Sequence, residues 1–218
     1  MSDPIIEGFR GMSTANISDA LDRLSLPGSA HGIHPLQNGQ KMIGRAYTLQ
    51  YVPAGNPPGT VGDYIDDIGP DQVVVLDNDG RTYCTVWGDI LTAVAAHRGV
   101  AGTVINGVCR DVYRALEIHY PIYSCGRFMR TGKDRVEVSA TNVPVALGDV
   151  RVRPNDLLIG DDDGVLVVPF DRESEVLAAA QEIGEVEDRI IADALSGNMT
   201  LREARTKHGY HLLQRKGN

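Results

Sequence analysis

The chain predicts an α/β fold built on a mixed sheet with flanking helices and a long C-terminal helix, and three features of its 218 residues carry that reading. Between Thr82 and Cys125, apolar strand-like runs alternate with short helical ones. Between Pro121 and Phe170, short apolar segments follow one another across turn residues. From Glu173 to Leu195 the chain runs without proline and repeats apolar residues at helical spacing. Strands that alternate with helices form parallel units, whereas strands joined by tight turns pair antiparallel, so a mixed sheet follows.

Composition bounds the rest. The length suits one well-buried domain over 1–218, with the core at 12–170 and a helix and tail at 171–218; no linker composition interrupts it. A formal net charge of -8 and the lack of a basic stripe argue against a nucleic-acid partner, Gln214-Arg215-Lys216 being the longest basic cluster. No apolar run approaches the roughly 20 residues that span a bilayer, and MSDPIIEGFRGM lacks a signal-peptide pattern, so no membrane partner and a cytoplasmic location are expected. Cys84, Cys109 and Cys125 lack paired zinc spacing and read as reduced thiols. Cys109 adjoins Arg110 and is a candidate reactive thiol, against the commoner role of buried filler.

In chain order, 13–26 reads as a helix capped by Ser13 or Thr14, with Ile17, Ala20, Leu21 and Leu24 on one face and Pro27-Gly28 ending it. Gly44 to Val52 alternates like a strand. The segment VPAGNPPGTVGD is a surface loop, with a mobile flap as the alternative. Asp71 to Asp77 is a strand, and Asn78-Asp79-Gly80 is expected to turn the chain into an antiparallel neighbour starting at Arg81 or Thr82. Asp161-Asp162-Asp163-Gly164 lies between two apolar strands and lacks the spaced oxygen ligands of a calcium loop, so it reads as a tight turn. His31 with His34, and His208 with His211, have neither helical i,i+4 spacing nor a nearby third ligand, and read as solvated or loop-packed.

In the last long helix, with Asp171 as N-cap, positions placed at about 100° intervals put Val176, Ala179, Ala180, Ile183, Val186, Ile190, Ile191 and Ala194 on one arc. Glu187 falls within that arc. A carboxylate on a packing face needs a cation or a polar pocket unless it snorkels out at the edge.

The candidate site lies in two dipeptides, Gly88-Asp89 and Arg110-Asp111, each where a strand ends and a helix begins. In open α/β sheets ligands bind beyond the carboxyl ends of the strands, where helix N-termini offer free N–H groups to anions. Two carboxylates and a guanidinium would meet there, and the backbone of Asp89, Ile90 and Leu91 would receive a substrate carboxylate. The plainer readings are Asp89 as helix N-cap and Arg110–Asp111 as a local ion pair.

The runs GTVINGVCRDVYRALEIHYPIYSCGR, GDILTAVAAHRG, DVRVRPNDLLIGDDDGVLVVP, NISDALDRL and GRAYTLQYV, with Gly88-Asp89 followed 21 positions later by Arg110-Asp111, resemble the RraA-like family over roughly residues 12 to 197. That family includes the regulator of ribonuclease activity A and the 4-hydroxy-4-methyl-2-oxoglutarate aldolases, some of which decarboxylate oxaloacetate. The resemblance implies a swivelling β/β/α domain assembled as a homotrimer or homohexamer with active sites between subunits. It implies that Asp111 holds a divalent ion, magnesium or manganese, that Asp89 touches the ion through water, and that Arg110 contacts the oxo-acid. It also implies that Glu187, or Glu185 in a shifted register, enters from a neighbouring subunit. Asp89 stands where the ribonuclease-inhibiting branch carries glutamate, which leans toward the aldolase. The family's acidic residue shortly after Arg-Asp is replaced by Arg114, Ala115 and Leu116, with Glu117 later, which bears on substrate identity.

The expected activity is therefore a metal-dependent aldolase or decarboxylase acting through a pyruvate enolate. A Schiff base would need a buried lysine, and Lys41, Lys133, Lys207 and Lys216 lie in polar segments. The alternatives are a non-catalytic protein-binding regulator, a metal-dependent enzyme acting on another small acid, and a methyltransferase, for which no glycine-rich nucleotide turn is found.

Overall fold

The computed structural model describes residues 3–213; Gln214-Arg215-Lys216 lies outside them. In chain order the elements are α1 (Pro4–Phe9), α2 (Thr14–Arg23), β1 (His34–Pro35), β2 (Met42–Pro53), β3 (Gln72–Thr85), α3 (Asp89–His97), β4 (Gly102–Cys109), α4 (Val112–Glu117), β5 (Ile122–Arg127), β6 (Val136–Thr141), β7 (Val145–Leu147), β8 (Val150–Val152), β9 (Leu157–Asp161), β10 (Gly164–Val168), α5 (Glu173–Leu195) and α6 (Leu201–Lys207). Short 3-10 turns occupy Asp63–Asp67, Phe170–Arg172 and Tyr210–Leu212. Two compact units result: residues 28–170, and the described parts of 1–27 with 171–218.

The sheet unit has strand order β1-β5-β4-β3-β2-β9-β10, with β6 beside β2 and a separate β7-β8 pair. Strands β2, β3, β4 and β5 are mutually parallel, while β1, β6, β9 and β10 pair antiparallel. The sheet is thus mixed, and all eight residues of β4 are buried, as both covered faces of a parallel core require. The pleat sorts neighbours between two cores. Val74, Leu76 and Ile105 join Trp87 and Tyr120 on one face, and Val73, Val75 and Val104 join Tyr123 and Leu147 on the other.

Three local expectations are corrected. Asn78-Asp79-Gly80 does turn, with Asp79 and Gly80 both at positive φ (53° and 64°), but the chain returns to the same neighbour. Asp77, Arg81 and Thr85 pair in parallel with Asn106, Gly107 and Val108, so the turn is a bulge in β3 and no antiparallel partner follows. The carboxylate of Asp77 takes hydrogen bonds from Asn106 Nδ2 and Ala146 N, both at 3.0 Å, and these tertiary contacts hold the strand before the bulge. Helix α2, capped by Ser13 Oγ as expected, stops at Arg23 because Ser25 takes φ 58°, short of Pro27. Asp171 does not cap α5; it sits in the 3-10 turn, and Arg172 holds the cap position. Between β9 and β10, Asp163 N donates to Asp161 Oδ1 at 3.0 Å across a two-residue loop, the tight turn read from the sequence.

In the helical unit, α5 buries Val176, Ala179, Ala180, Ile183, Val186 and Ile190, while Ile191 is exposed, so the apolar arc is narrower than expected. Arg23 pairs with Glu182 at 2.8 Å. A capping box of Thr200 and Glu203 starts α6, and Asp193 receives Lys207 Nζ at 2.8 Å and His208 Nε2 at 2.7 Å. His208 is thereby a partnered histidine. Among the described residues no helix is long and apolar enough to cross a membrane.

Candidate active site

The site begins with a buried indole. Trp87, just past the end of β3, stacks on Tyr120 with ring centroids 6.3 Å apart and donates from Nε1 to Thr92 Oγ1 at 2.9 Å. Thr92 Oγ1 in turn donates to Gly88 O at 2.8 Å. This chain of contacts fixes the first turn of α3, with Gly88 at the cap position and Asp89 as the first helical residue. The reading of Asp89 as N-cap is therefore corrected by one position. Its carboxylate accepts from Ile90 N at 2.8 Å and from Tyr113 Oη at 3.4 Å. Of the three N–H groups expected to receive a substrate, that of Ile90 is thus engaged by Asp89 itself.

The second dipeptide arrives from β4. Arg110 N donates to Trp87 O at 3.0 Å, which ties the two strand ends together. Asp111 takes the left-handed conformation (φ 52°, ψ 37°) at the cap of α4 without capping that helix through its side chain. Aspartate tolerates this conformation, which Asp79 and Ser25 also take in turns. The twist turns its carboxylate back toward α3: a Cβ on Gly88 would lie 2.9 Å from Asp111 Oδ2 and 3.4 Å from Arg110 Nε. Glycine at 88 is what lets the carboxylate and the guanidinium approach. Arg110 Nε and Asp111 Oδ2 form a half-exposed ion pair at 3.3 Å, so the plainer pairing is also present.

A cleft of about 420 Å³ opens here, lined by Gly88, Asp89, Ile90, Leu91 and Arg110 on one side. Asp111 is not among the lining residues, though its Oδ2 lies close to Gly88. The facing wall is formed by Val61, Gly62 and Asp63, at the end of the segment read from the sequence as a surface loop or flap, and by Ile65 and Asp66, which sequence reasoning missed. Ile65 and Asp66 lie in the run DYIDD between Gly62 and Gly69. The loop leading to this wall is anchored: Gly55 N and Gly59 N donate to Glu137 Oε2 at 2.9 and 2.6 Å, and Tyr51 Oη donates to Val61 O at 2.7 Å. Those two amides hold the Glu137 carboxyl below the usual range. Arg98 fastens the wall from behind through Ile68 O (3.1 Å) and Asp66 O (2.7 Å).

Glu187 lies in the helical unit, half-buried, where burial and then the Asp19 carboxylate push its pKa up while a hydrogen bond with Asn16 partly offsets them. Glu185 is exposed. Cys109 is fully buried against Ser124 and Gly126, and burial pushes its thiol pKa up, which makes it packing rather than a nucleophile.

Asp111, close to Gly88, and Asp89, next to it in the chain, offer hard oxygen donors. Among the described residues no three His, Cys, Asp or Glu side chains converge as a complete ligand set. Such a donor set fits a divalent ion that keeps much of its water, as magnesium does, and does not fit zinc, which takes four close N, S or O ligands.

The fold and this site define an α/β protein with a carboxylate–guanidinium centre at the carboxyl edge of a parallel strand core. Residues 14–167 match the family model described as RraA-like, Aldolase/RraA, and the chain belongs to that family. A relative from Halalkalibacterium halodurans, provisionally named as a 4-hydroxy-4-methyl-2-oxoglutarate aldolase, is 34% identical over 191 residues, covering 86% of this chain and 89% of its own. The crystal structure of an uncharacterized protein from Pseudomonas syringae pv. tomato superposes with a TM-score of 0.86 at 38% identity, over 94% of this chain and 98% of that one. Streptomyces coelicolor RraAS2, described as an unusual member of the RNase ES inhibitor RraA protein family, gives 0.77 at 29% identity over 86% and 96%. Protein DlpA of Legionella pneumophila is 40% identical over 94% of this chain, and the chain spans 34% of DlpA's length.

Proposed function

We propose that this chain is a divalent-metal-dependent carbon–carbon lyase that cleaves 4-hydroxy-2-oxo acids of the 4-hydroxy-4-methyl-2-oxoglutarate kind to pyruvate and also decarboxylates oxaloacetate. The observation that carries it is the seat at Gly88, where a backbone without Cβ admits Asp111 Oδ2 beside Arg110 at the edge of the cleft. In the aldol reaction the C3–C4 bond breaks and its electron pair passes into the C2 carbonyl as pyruvate enolate. The C4 hydroxyl loses its proton, C4 becomes a carbonyl, and C3 finally takes up a proton. In oxaloacetate the same enolate forms as carbon dioxide leaves.

Negative charge grows on the 2-oxo oxygen, and catalysis requires donors placed there beforehand. Arg110 meets that need with a charge-assisted hydrogen bond. The free N–H groups of Asp89 and Leu91 at the start of α3 hold the substrate carboxylate. Asp89, already aimed by Ile90 N and Tyr113 Oη, accepts the hydroxyl proton, with Glu187 of a neighbouring subunit as a second acceptor if the chain assembles as a trimer or hexamer. Magnesium or manganese, held by Asp111 with Asp89, would supply Lewis-acid stabilisation of the same charge.

The test is pyruvate release from both substrates with magnesium and with EDTA, for the wild type and Asp111→Ala. Turnover that needs the ion and is lost in the variant is expected. A folded protein that binds magnesium and releases no pyruvate would remove the lyase reading. A second reading, a non-catalytic partner-binding regulator, draws on Ile90, Tyr113 and Met129, 75%, 60% and 75% exposed beyond the carboxyl ends of β3, β4 and β5. Large apolar side chains left in water suit a docking partner, and tight capture of a ribonuclease complex without turnover would favour it.

A further inference from the structure

We propose that the hydroxyls of Thr85 and Thr131, on the floor of the cleft, receive the far carboxylate of the substrate, so that 2-oxo dicarboxylates bind ahead of 2-oxo monocarboxylates of equal length. The inference rests on the oxo-acid reading above and assigns the residues that recognise the end of the substrate remote from the 2-oxo group.

Buried Thr85, Val86 and Trp87 make the floor of the cleft, with Thr131 beside them. The segment carrying Thr131 is tied to both strand ends. Thr85 N donates to Arg130 O at 2.9 Å, Phe128 N donates to Cys109 O at 3.0 Å, and Thr85 pairs with Thr131 in an isolated parallel bridge. A Cβ on Gly132 would collide with the carbonyl oxygen of Thr85, so glycine there permits the close approach. Of the polar side chains on this floor, Trp87 Nε1 is already committed to Thr92. Thr85 lines the cleft at 3% exposure, yet among the described residues its hydroxyl has no hydrogen-bond partner. Thr131 Oγ1 accepts from Lys133 N at 3.2 Å, which leaves its proton to donate. Two hydroxyl protons without an acceptor suit an ionised carboxylate, which only accepts. Charge agrees with this. Arg130 and Lys133 flank Thr131, are exposed, and form no salt bridge among the described residues, Arg130 resting over the Phe128 ring instead. They set two cations on this side of the cleft against Asp63 and Asp66 on the facing wall. The span also fits. Thr85 precedes Gly88 by three residues, so at most about 11 Å separates them. A five-carbon acid measures about 5 Å between its end carbons and reaches about 3 Å further through a hydrogen bond at each end, which covers that distance.

Calorimetric titration of the magnesium-loaded full chain with two uncleavable five-carbon acids, 2-oxoglutarate and 2-oxopentanoate, tests this apart from turnover. The wild type is expected to bind 2-oxoglutarate at least about tenfold tighter, since hydrogen bonds to a charged acceptor are the stronger kind. The double variant Thr85→Val/Thr131→Val keeps the side-chain shape without the hydroxyls. It should weaken 2-oxoglutarate alone, bringing the two affinities within about threefold, and Thr85→Ser/Thr131→Ser should restore the preference. Equal or weaker binding of 2-oxoglutarate by the wild type would overturn the proposal. So would binding of neither acid, an unchanged preference in the valine variant, or a parallel loss of both affinities, which would assign the threonines to packing of the floor. The expected pattern without pyruvate release from any 4-hydroxy-2-oxo acid would remove the lyase reading and leave the subsite standing. Pyruvate release with a preference that the valine variant does not move would do the reverse.

Discussion

Replacing Gly88 by alanine perturbs the proposed site with little disturbance to the fold. Its backbone (φ -145°, ψ -165°) is extended and open to any residue, so alanine brings no torsional strain. The added Cβ would sit 2.9 Å from Asp111 Oδ2 and 3.4 Å from Arg110 Nε. Carbon and oxygen settle nearer about 3.4 Å, so the carboxylate has to retreat by roughly half an ångström. Loss of glycine at the helix cap costs about 1 kcal/mol, which lowers Tm by about 2–4 °C in a chain of this size. A misplacement of about 1 Å costs a catalytic centre roughly a hundredfold, so half of that predicts a ten- to hundredfold fall in kcat/KM for pyruvate release. Magnesium affinity, measured calorimetrically, should fall with it. Unchanged kcat/KM and magnesium affinity would refute the idea that Gly88 seats the carboxylate. A collapse of Tm by more than about 10 °C would show that the residue serves the fold instead.

Other expectations follow from the same contacts. Asp111→Asn keeps a side chain that tolerates the left-handed conformation, so the fold should survive by circular dichroism while magnesium binding and turnover fall by at least about a hundredfold; retained turnover would exclude Asp111 as an ion ligand. Glu137 has a lowered folded pKa, so its clamp is complete above the ordinary glutamate value and is lost as pH falls through the folded one. Hydrogen-exchange protection at Gly55 and Gly59 should decline over that acid window in the wild type and be low and pH-independent in Glu137→Gln. Glu187 is raised, so the folded state binds its proton more readily and stability falls as pH rises past the ordinary glutamate value. Glu187→Gln should therefore raise Tm at pH 7, the gain vanishing at pH values where the native carboxyl is protonated; a lower Tm at pH 7 would show that the ionised form is paired.

The elements themselves were legible because their causes are local. Ser13 caps α2 by a bond to a residue three positions on, apolar alternation marks the strands, and Asp161-Asp162-Asp163-Gly164 closes a hairpin with its own atoms. Where reading failed, a distant partner had intervened. Asn78-Asp79-Gly80 carries the local chemistry of a hairpin turn, yet the strand rejoins β4, and Asp77 is held by Asn106 and Ala146. The arc drawn for α5 included Ile191, which is exposed, because the width of a buried stripe depends on what packs against it.

By itself the amino-acid order determined the mixed α/β class, the long C-terminal helix, and the two strand-to-helix junctions that carry Gly88-Asp89 and Arg110-Asp111, since these depend on turn chemistry and periodicity over a few residues. Tertiary structure alone decided that Asp111 twists into the left-handed region to lay its carboxylate on Gly88, that the DYIDD turn walls the cleft with Asp63 and Asp66, and that Glu137 fastens the loop leading there. Each of these joins residues at least twenty positions apart. Such contacts are set by the register of strands far apart in the chain, parallel between β3 and β4 and antiparallel between β2 and β6, and no local pattern of residues encodes that register.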